Sequence, residues 1–287
     1  MRKSQPRVGV VGHVEWVQFA RVAQVPRAGE VVHADEAFEE PAGGGAVAAV
    51  QLARLAGGAV LVTALGEDEQ GRRSVERLRE LGVDVQAATR AVPTRRAVTL
   101  VDDEGERTIT TFGERLEPSG RDERALRSAL GGMDAVYFTA GDVDALRIAR
   151  EAARVLVASP RALHALGHGV PLDALVLSGD DEIERSEAGR ASEEAELVVL
   201  TEGGHGGSYR RRGGESGRWS AAPPPGDPVD SYGCGDSFAA GLTYALGAGM
   251  TVPDALALAA RCGATCLTGR GPYGRQLDGG DVNREHS

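Results

Sequence analysis

Short continuous apolar runs alternate along this chain with stretches whose apolar positions recur every three or four residues, the pattern of buried strands interleaved with amphipathic helices. Residues 7–12 (RVGVVG) and 59–64 (AVLVTA) are apolar runs closed by glycine or small residues and predict buried strands. Gly43, Gly44 and Gly45 precede the small, apolar stretch 46–55, which predicts a glycine loop opening a helix, and a polar, strand-like insert separates this loop from the first strand. Residues 71–81 have amphipathic helix spacing, and 82–85 begin another strand. Between 94 and 112 the pattern changes, because 97–101 and 107–111 are β-rich runs joined by Asp102-Asp103-Glu104-Gly105, a hairpin signature in a second, antiparallel element. Alternation then resumes, with helices predicted over 125–130, 143–153 and 182–195 and strands over 135–139, 155–158, 174–177 and 197–201. A further hairpin is expected over 208–222, and the proline-rich lead-in 221–228 cannot be helical. The succession predicts an α/β fold: a doubly wound, mostly parallel sheet whose ligands bind beyond the carboxyl ends of the strands.

Composition narrows the function. The chain has 287 residues, 41% of them hydrophobic and 26% charged, enough for a sizeable core. Thirty-two basic residues against forty-two acidic leave a net charge of −10, which disfavours nucleic acid and anionic membrane as partners. No apolar run approaches the roughly 20 residues of a membrane-spanning helix, and residues 1–7 lead straight into a strand, so a cytoplasmic protein is expected. Lys3 is the sole lysine, which removes the Walker A loop, the protein-kinase strand lysine and Schiff-base chemistry. Cys234, Cys262 and Cys266 form no CxxC pair, and buried hydrophobes are the reading for the helical pair 262 and 266. His164 and His168 stand four apart without the glutamate of a zincin helix, beside glycines that end a helix.

The chemistry concentrates in residues 230–242 (DSYGCGDSFAAGL). Gly233 and Gly235 allow a tight turn at the start of a small, apolar helix, where the amides of Gly233, Cys234 and Gly235 could hold a phosphoryl group at the positive end of the helix dipole. Asp236 in the first turn could take a proton from a hydroxyl there, or could simply cap the helix.

DSYGCGDSF resembles the second signature of the ribokinase-like carbohydrate kinases, the PfkB family, usually D-T-x-G-A-G-D-x-F. Further pieces follow in family order: Gly29-Glu30 after Pro26, the Gly43–Gly45 loop with its Ala-rich helix, LGEDEQG at 65–71, Leu81-Gly82-Val83, and DDEGERTI at 102–109. The resemblance implies one ribokinase-like three-layer α/β/α domain over residues 1–287, with a small β lid from about 14–36 and 94–112. It further implies transfer of the ATP γ-phosphoryl group to a hydroxyl, with Mg2+ expected alongside ATP. Asp236 falls on the catalytic base; Gly233, Cys234 and Gly235 fall on the anion hole; Thr201, Gly203, Gly206 and Ser231 belong to the nucleotide side. On the acceptor side the resemblance places Glu15, Gly43, Gly44, Gly45 and Val47, with Asp142 as a further polar anchor. Glu15, Val17 and Val47 replace polar sugar contacts of the family, which makes ribose itself an unfavourable acceptor, since its hydroxyls would go unpaired. Trp16 and Phe19 could stack on a base or sugar, or serve the lid or a dimer contact. The family's magnesium-organising glutamate corresponds to Glu182, with Glu184 as the alternate. A sugar or modified sugar is the expected acceptor; a nucleoside kinase and a non-catalytic binder on the same fold are the alternatives. The lid could form a homodimer, and the tail 277–287 reads as loose.

Overall fold

The structure is a computed structural model describing residues 5–179 and 181–284; Lys3, Asp180 and the last three positions of the tail lie outside the described residues. The chain opens with β1 (Val8–Val11), then β2 (Glu15–Arg21) and β3 (Glu36–Ala42), the helix α1 (Gly44–Ala56), β4 (Ala59–Gly66), α2 (Glu69–Glu80) and β5 (Val83–Arg90). Next come the hairpin strands β6 (Arg96–Val101) and β7 (Arg107–Phe112), then α3 (Glu123–Leu130), β8 (Met133–Phe138), α4 (Val143–Ala152), β9 (Ala153–Ala158) and β10 (Leu172–Ser178). The last part comprises α5 (Glu182–Glu187), α6 (Gly189–Glu194), β11 (Ala195–Thr201), β12 (Gly207–Arg211), β13 (Ser216–Trp219), α7 (Cys234–Gly247), α8 (Val252–Cys266) and α9 (Gly279–Arg284).

Nine strands form one sheet in the order β13-β12-β11-β10-β9-β8-β1-β4-β5. It is parallel from β11 to β5, and β12 and β13 extend it antiparallel. Alternation along the strands divides the core. Val8, Val10, Ala135, Tyr137, Ala174 and Val176 pack with α1, α7 and α8 on one face, while Val11, Val136, Phe138, Leu175 and Leu177 pack with α3 and α4 on the other. This is the expected three-layer α/β/α arrangement. Gly241 of α7 lets the two helices on its face close up, since a Cβ there would lie 2.7 Å from Cys262 Sγ; Cys262 is buried packing, as its helical spacing suggested.

The smaller sheet has the order β3-β2-β6-β7. Its two hairpins are antiparallel and are joined by a parallel β2–β6 pair. The lid reaches further than the insert 14–36, because β3 occupies 36–42 and delivers the chain directly into the glycine loop.

Three local expectations differ. The helix predicted over 182–195 is two short helices that meet at Ala188, before Gly189, a weak helix former. No helix forms at His164; the chain makes a 3-10 turn at Pro160–Ala162, and His164 Nε2 lies 3.0 Å from Glu117 Oε2. The tail expected to be loose from 277 is docked through Arg284: Leu277 is buried, its carbonyl accepts from Gln51 Nε2 at 2.7 Å, and α9 packs on α1. Among the described residues no helix is long and apolar enough to cross a membrane.

Candidate active site

The start of α7 lies beside the carboxyl ends of the parallel strands, next to the glycine loop that opens α1. Gly233 is left-handed (φ 82°), and a side chain there would place its Cβ 2.8 Å from Val47 Cγ1, so only glycine makes this turn without strain. The Cys234 amide points back to the Ser231 carbonyl at a long 3.4 Å. The amides of Gly235 and Asp236, in the first helical turn, find no acceptor among the described residues. The Gly233 amide likewise has no acceptor among the described residues, so of the expected Gly233–Gly235 set only the Cys234 amide is engaged, the Asp236 amide adds a further open donor, and space above Gly235 is open. The neighbouring Cys266 thiol, together with burial, pushes the Cys234 thiol up, so it stays protonated.

Asp236 is 7% exposed, accepts no hydrogen bond within the described residues, and has Arg161 Nη2 at 3.8 Å from its Oδ2. A Cβ on Gly44 would stand 2.9 Å from Asp236 Oδ1, 3.2 Å from Thr139 Oγ1 and 3.6 Å from Arg161 Cδ. The bare loop therefore lets the Asp236 carboxylate approach the backbone of α1. Gly45 is equally constrained, because the would-be Cβ of Gly12 lies 2.6 Å from its Cα. Gly43 donates its amide to Tyr232 Oη at 3.3 Å, tying the glycine loop to the α7 turn.

Glu15 enters the pocket from the lid's first strand, 7% exposed, with Arg95 Nε at 3.5 Å. Burial raises its pKa, opposed by Arg95. His13, 4% exposed, stands beside Gly43; burial, reinforced by Arg161, Arg115 and Arg95, lowers its pKa well below the usual value and keeps the imidazole neutral. Glu184 is also raised by burial, accepts from the Ser178 amide at 2.9 Å, and shares the field of Arg161 and Asp236.

Several expected contacts fall elsewhere. Val47 is fully buried behind the α7 turn and takes no part in the acceptor pocket. Both Asp142 oxygens accept from Gly120 N at 3.0 Å, and Oδ1 also takes Ala145 N at 2.8 Å, so this carboxylate caps α4 and anchors no acceptor. Trp16 is buried with the Arg73 guanidinium 4.3 Å from its ring centre, and Phe19 stacks on Phe38 and meets Tyr232 edge-on; neither offers a free face. Glu182 is exposed, whereas its alternate Glu184 faces the site's charges. On the nucleotide side, Thr201 ends β11 with its hydroxyl on the Leu177 carbonyl, and Gly203 and Gly206 make the turn into β12. Ser231 receives Arg107 Nη1 on its carbonyl at 3.0 Å and its hydroxyl at 2.9 Å.

Sequence reasoning missed His13, Thr139, Arg161 and Tyr232. His13 directly follows Gly12 at the end of β1, a position whose place in the sheet would have flagged it; Arg161 carries no such local signal.

Comparison with solved proteins first defines the class. The structure superposes on a ribokinase from Giardia lamblia with a TM-score of 0.79, at 17% identity over 99% of each chain. It also superposes on the Arabidopsis thaliana ribokinase complexed with ribose and ATP, with a TM-score of 0.75, at 19% identity over 97% of this chain and 98% of that one. The fold is therefore the ribokinase fold. In sequence, the pattern of the pfkB family carbohydrate kinases matches residues 5–163 and 172–277, so the chain belongs to that family. It is also similar to an ATP-dependent ribose-1-phosphate kinase from Halopiger xanaduensis, 31% identical over 290 aligned positions that cover 90% of each chain.

Proposed function

We propose that the protein is an ATP-dependent kinase that transfers the γ-phosphoryl group to a hydroxyl of a sugar or modified sugar. The observation that carries this reading is the buried Asp236 carboxylate, free of hydrogen bonds among the described residues, at the same turn as the unpartnered amides of Gly233, Gly235 and Asp236 and against the bare Gly44 backbone. Asp236 takes the proton of the acceptor hydroxyl as that oxygen forms its bond to phosphorus and the bond to the ADP oxygen breaks. The open amides of the Gly233–Asp236 turn stabilise charge on the transferring group. Thr201, Gly203, Gly206 and Ser231 border the nucleotide; Glu15, Gly43, Gly44 and Gly45 border the acceptor.

Magnesium bound with the nucleotide would neutralise phosphate charge. Among the described residues no group of three His, Cys, Asp or Glu could hold a metal, so the donor set fits an ion carried by phosphates, with Glu184 the carboxylate placed to assist it. Because Trp16 and Phe19 are engaged in the protein's own packing, a sugar fits better than a nucleoside base. A second copy of the chain could cover the lid's free edge, where β7 exposes Ile109 and Phe112. A monomer in sedimentation would remove this dimer.

The test is ADP release with mass-spectrometric detection of the product, comparing the intact protein with Asp236→Asn. Turnover should fall by about 10² to 10⁴-fold, with ATP affinity held within several-fold, because the base is lost and the amides remain. Near-normal turnover in the variant would refute the mechanism.

A further inference from the structure

The turn that opens α7 is held against the start of α1 by side chains, since among the described residues no backbone hydrogen bond joins 43–47 to 230–237. Two ties cross between them. The deeper one is Gln276, whose Nε2 donates to the Val47 carbonyl at 3.2 Å and to Ser237 Oγ at 3.3 Å. The other lies at the glycine loop itself, where the Tyr232 hydroxyl accepts from Gly43 N at 3.3 Å. The backbone of Tyr232 is fixed on both sides: its amide donates to Asp230 Oδ1 at 2.8 Å, its carbonyl accepts from Cys266 Sγ at 3.4 Å, and Asp230 Oδ2 takes the Gly271 amide at 2.9 Å. The residue is buried, and burial pushes its pKa up, so the hydroxyl is neutral.

The ring of Tyr232 is set by the lid. Phe19 of β2 meets it edge-on, with centroids 4.9 Å apart at 82°, and Phe19 in turn stacks on Phe38 of β3 at 4.9 Å and 11°. The Arg270 guanidinium stands 3.7 Å from the Phe38 ring centre and pairs with Glu36 at 2.6 Å, closing the column from the far side. Three rings therefore run from the lid to the residue before Gly233, and the last of them carries the hydroxyl on Gly43. The loop held in this way is one where a small displacement matters. A Cβ on Gly44 would stand 2.9 Å from Asp236 Oδ1, and misplacing reacting groups by about 1 Å can cost on the order of 10²-fold in rate.

We propose that Tyr232 is a positioning residue for phosphoryl transfer: the lid sets its ring, and its hydroxyl sets the Gly43–Gly45 loop against Asp236. This rests on the reading of Asp236 as the base. Tyr232 acts through the loop and touches no reacting atom. It fills the variable position of the DSYGCGDSF signature, so the tie belongs to this chain rather than to the pattern. Phenylalanine would keep the ring in the column and release only the Gly43 amide, which separates the two roles.

The test compares the full chain with Tyr232→Phe and Tyr232→Leu. Hydrogen exchange is read by mass spectrometry over residues 42–47 and 231–237, stability by a thermal scan, and ADP release with MgATP and a panel of ribose, fructose, glucose, glucosamine and gluconate. In Tyr232→Phe, exchange over 42–47 should rise by about threefold or more and kcat should fall by about fivefold or more. The KM for MgATP should stay within about twofold, the melting temperature within about 2 °C, and exchange over 231–237 at the parent's rate. Tyr232→Leu should also speed exchange over 231–237 and lower kcat further, because the ring leaves the column. Parent-level exchange over 42–47 in Tyr232→Phe, or parent-level kcat there, overturns the inference. So does a fall in kcat that comes with a raised KM and faster exchange along the whole of α7 and α8, which would make Tyr232 a packing residue only. A Tyr232→Leu variant no worse than Tyr232→Phe overturns the part assigned to the lid. A parent chain that releases no ADP with any member of the panel counts against the kinase reading, while exchange in Tyr232→Phe still decides whether the hydroxyl holds the loop.

Discussion

A single buried imidazole carries a pH signature. Burial and three arginines hold His13 neutral in the folded protein, whereas in the unfolded chain it titrates near 6.5. The unfolded state therefore binds the extra proton, and the contribution of His13 to stability is full above about pH 6.5 and is lost as pH falls below it. Chemical denaturation between pH 5 and 8 should show stability falling toward acid, by up to about 1.4 kcal/mol per pH unit for this one proton, and His13→Gln should flatten that dependence. A second residue-scale prediction concerns Gly44. Its φ is not left-handed, so alanine brings no backbone strain, but the added methyl would reach Asp236 Oδ1 at 2.9 Å. Gly44→Ala should lower kcat/KM at least tenfold, roughly 1.4 kcal/mol of lost transition-state stabilisation, while the melting temperature stays level or rises. At this scale Asp236 was legible because a glycine turn followed by a small, apolar helix constrains its own neighbourhood. Arg161 was not: it is one of thirty-one arginines, and what sets it apart is its approach to Asp236, which no run of residues expresses.

At the scale of elements, one carboxylate joins helix, strand and lid. Asp68 caps α2 by accepting from Gly71 N at 2.8 Å, and accepts from Thr94 Oγ1 and N at 2.7 Å each. Thr94 Oγ1 also receives Gly66 N at 3.0 Å, so β4, α2 and the entry to β6 meet at one point. Asp68→Ala should cost about 1 to 3 kcal/mol in urea unfolding, a cap plus two further hydrogen bonds. Burial works to raise this carboxyl's pKa, but the bonds from Thr94 and Gly71 outweigh it and hold it below the usual value. Its stabilisation is therefore present above the unfolded carboxylate range and lost as pH falls through the lower folded value, a loss that Asp68→Asn should abolish. The elements themselves were largely legible, because hydrophobic period and glycine punctuation act over a few residues. Where expectation and structure parted, the cause was either a weak helix former, as at Gly189, or long-range docking, as for Leu277 under Gln51.

Across the whole molecule, the lid is fastened to the turn that opens α7. The β6–β7 connection places Gly105 O against Ser231 N at 3.3 Å, and Arg107 Nη1 donates to both Ser231 oxygens. These bonds are exposed and add little to global stability. Arg107→Ala should accordingly leave the melting temperature nearly unchanged while speeding amide hydrogen exchange over residues 102–107, where the turn loses its hold on the core. Unchanged exchange there would show that the lid is held by its other contacts. What the sequence by itself determined was the kind of molecule: alternating strands and helices, a lid of β-rich inserts, and a glycine turn that opens a small, apolar helix with a carboxylate in its first turn, all written in residues that are neighbours along the chain. The tertiary structure decided the candidate pocket. His13 follows β1, Glu15 begins β2, Gly44 opens α1, Arg161 follows β9 and Asp236 opens α7, and they meet only because β9, β8, β1 and β4 lie side by side in the sheet. Local patterns set which backbone bonds a segment makes. Whether a side chain ends as a cap like Asp142, buried like Val47 or facing a distant carboxylate like Arg161 depends on what distant segments bring beside it, and that is settled by packing.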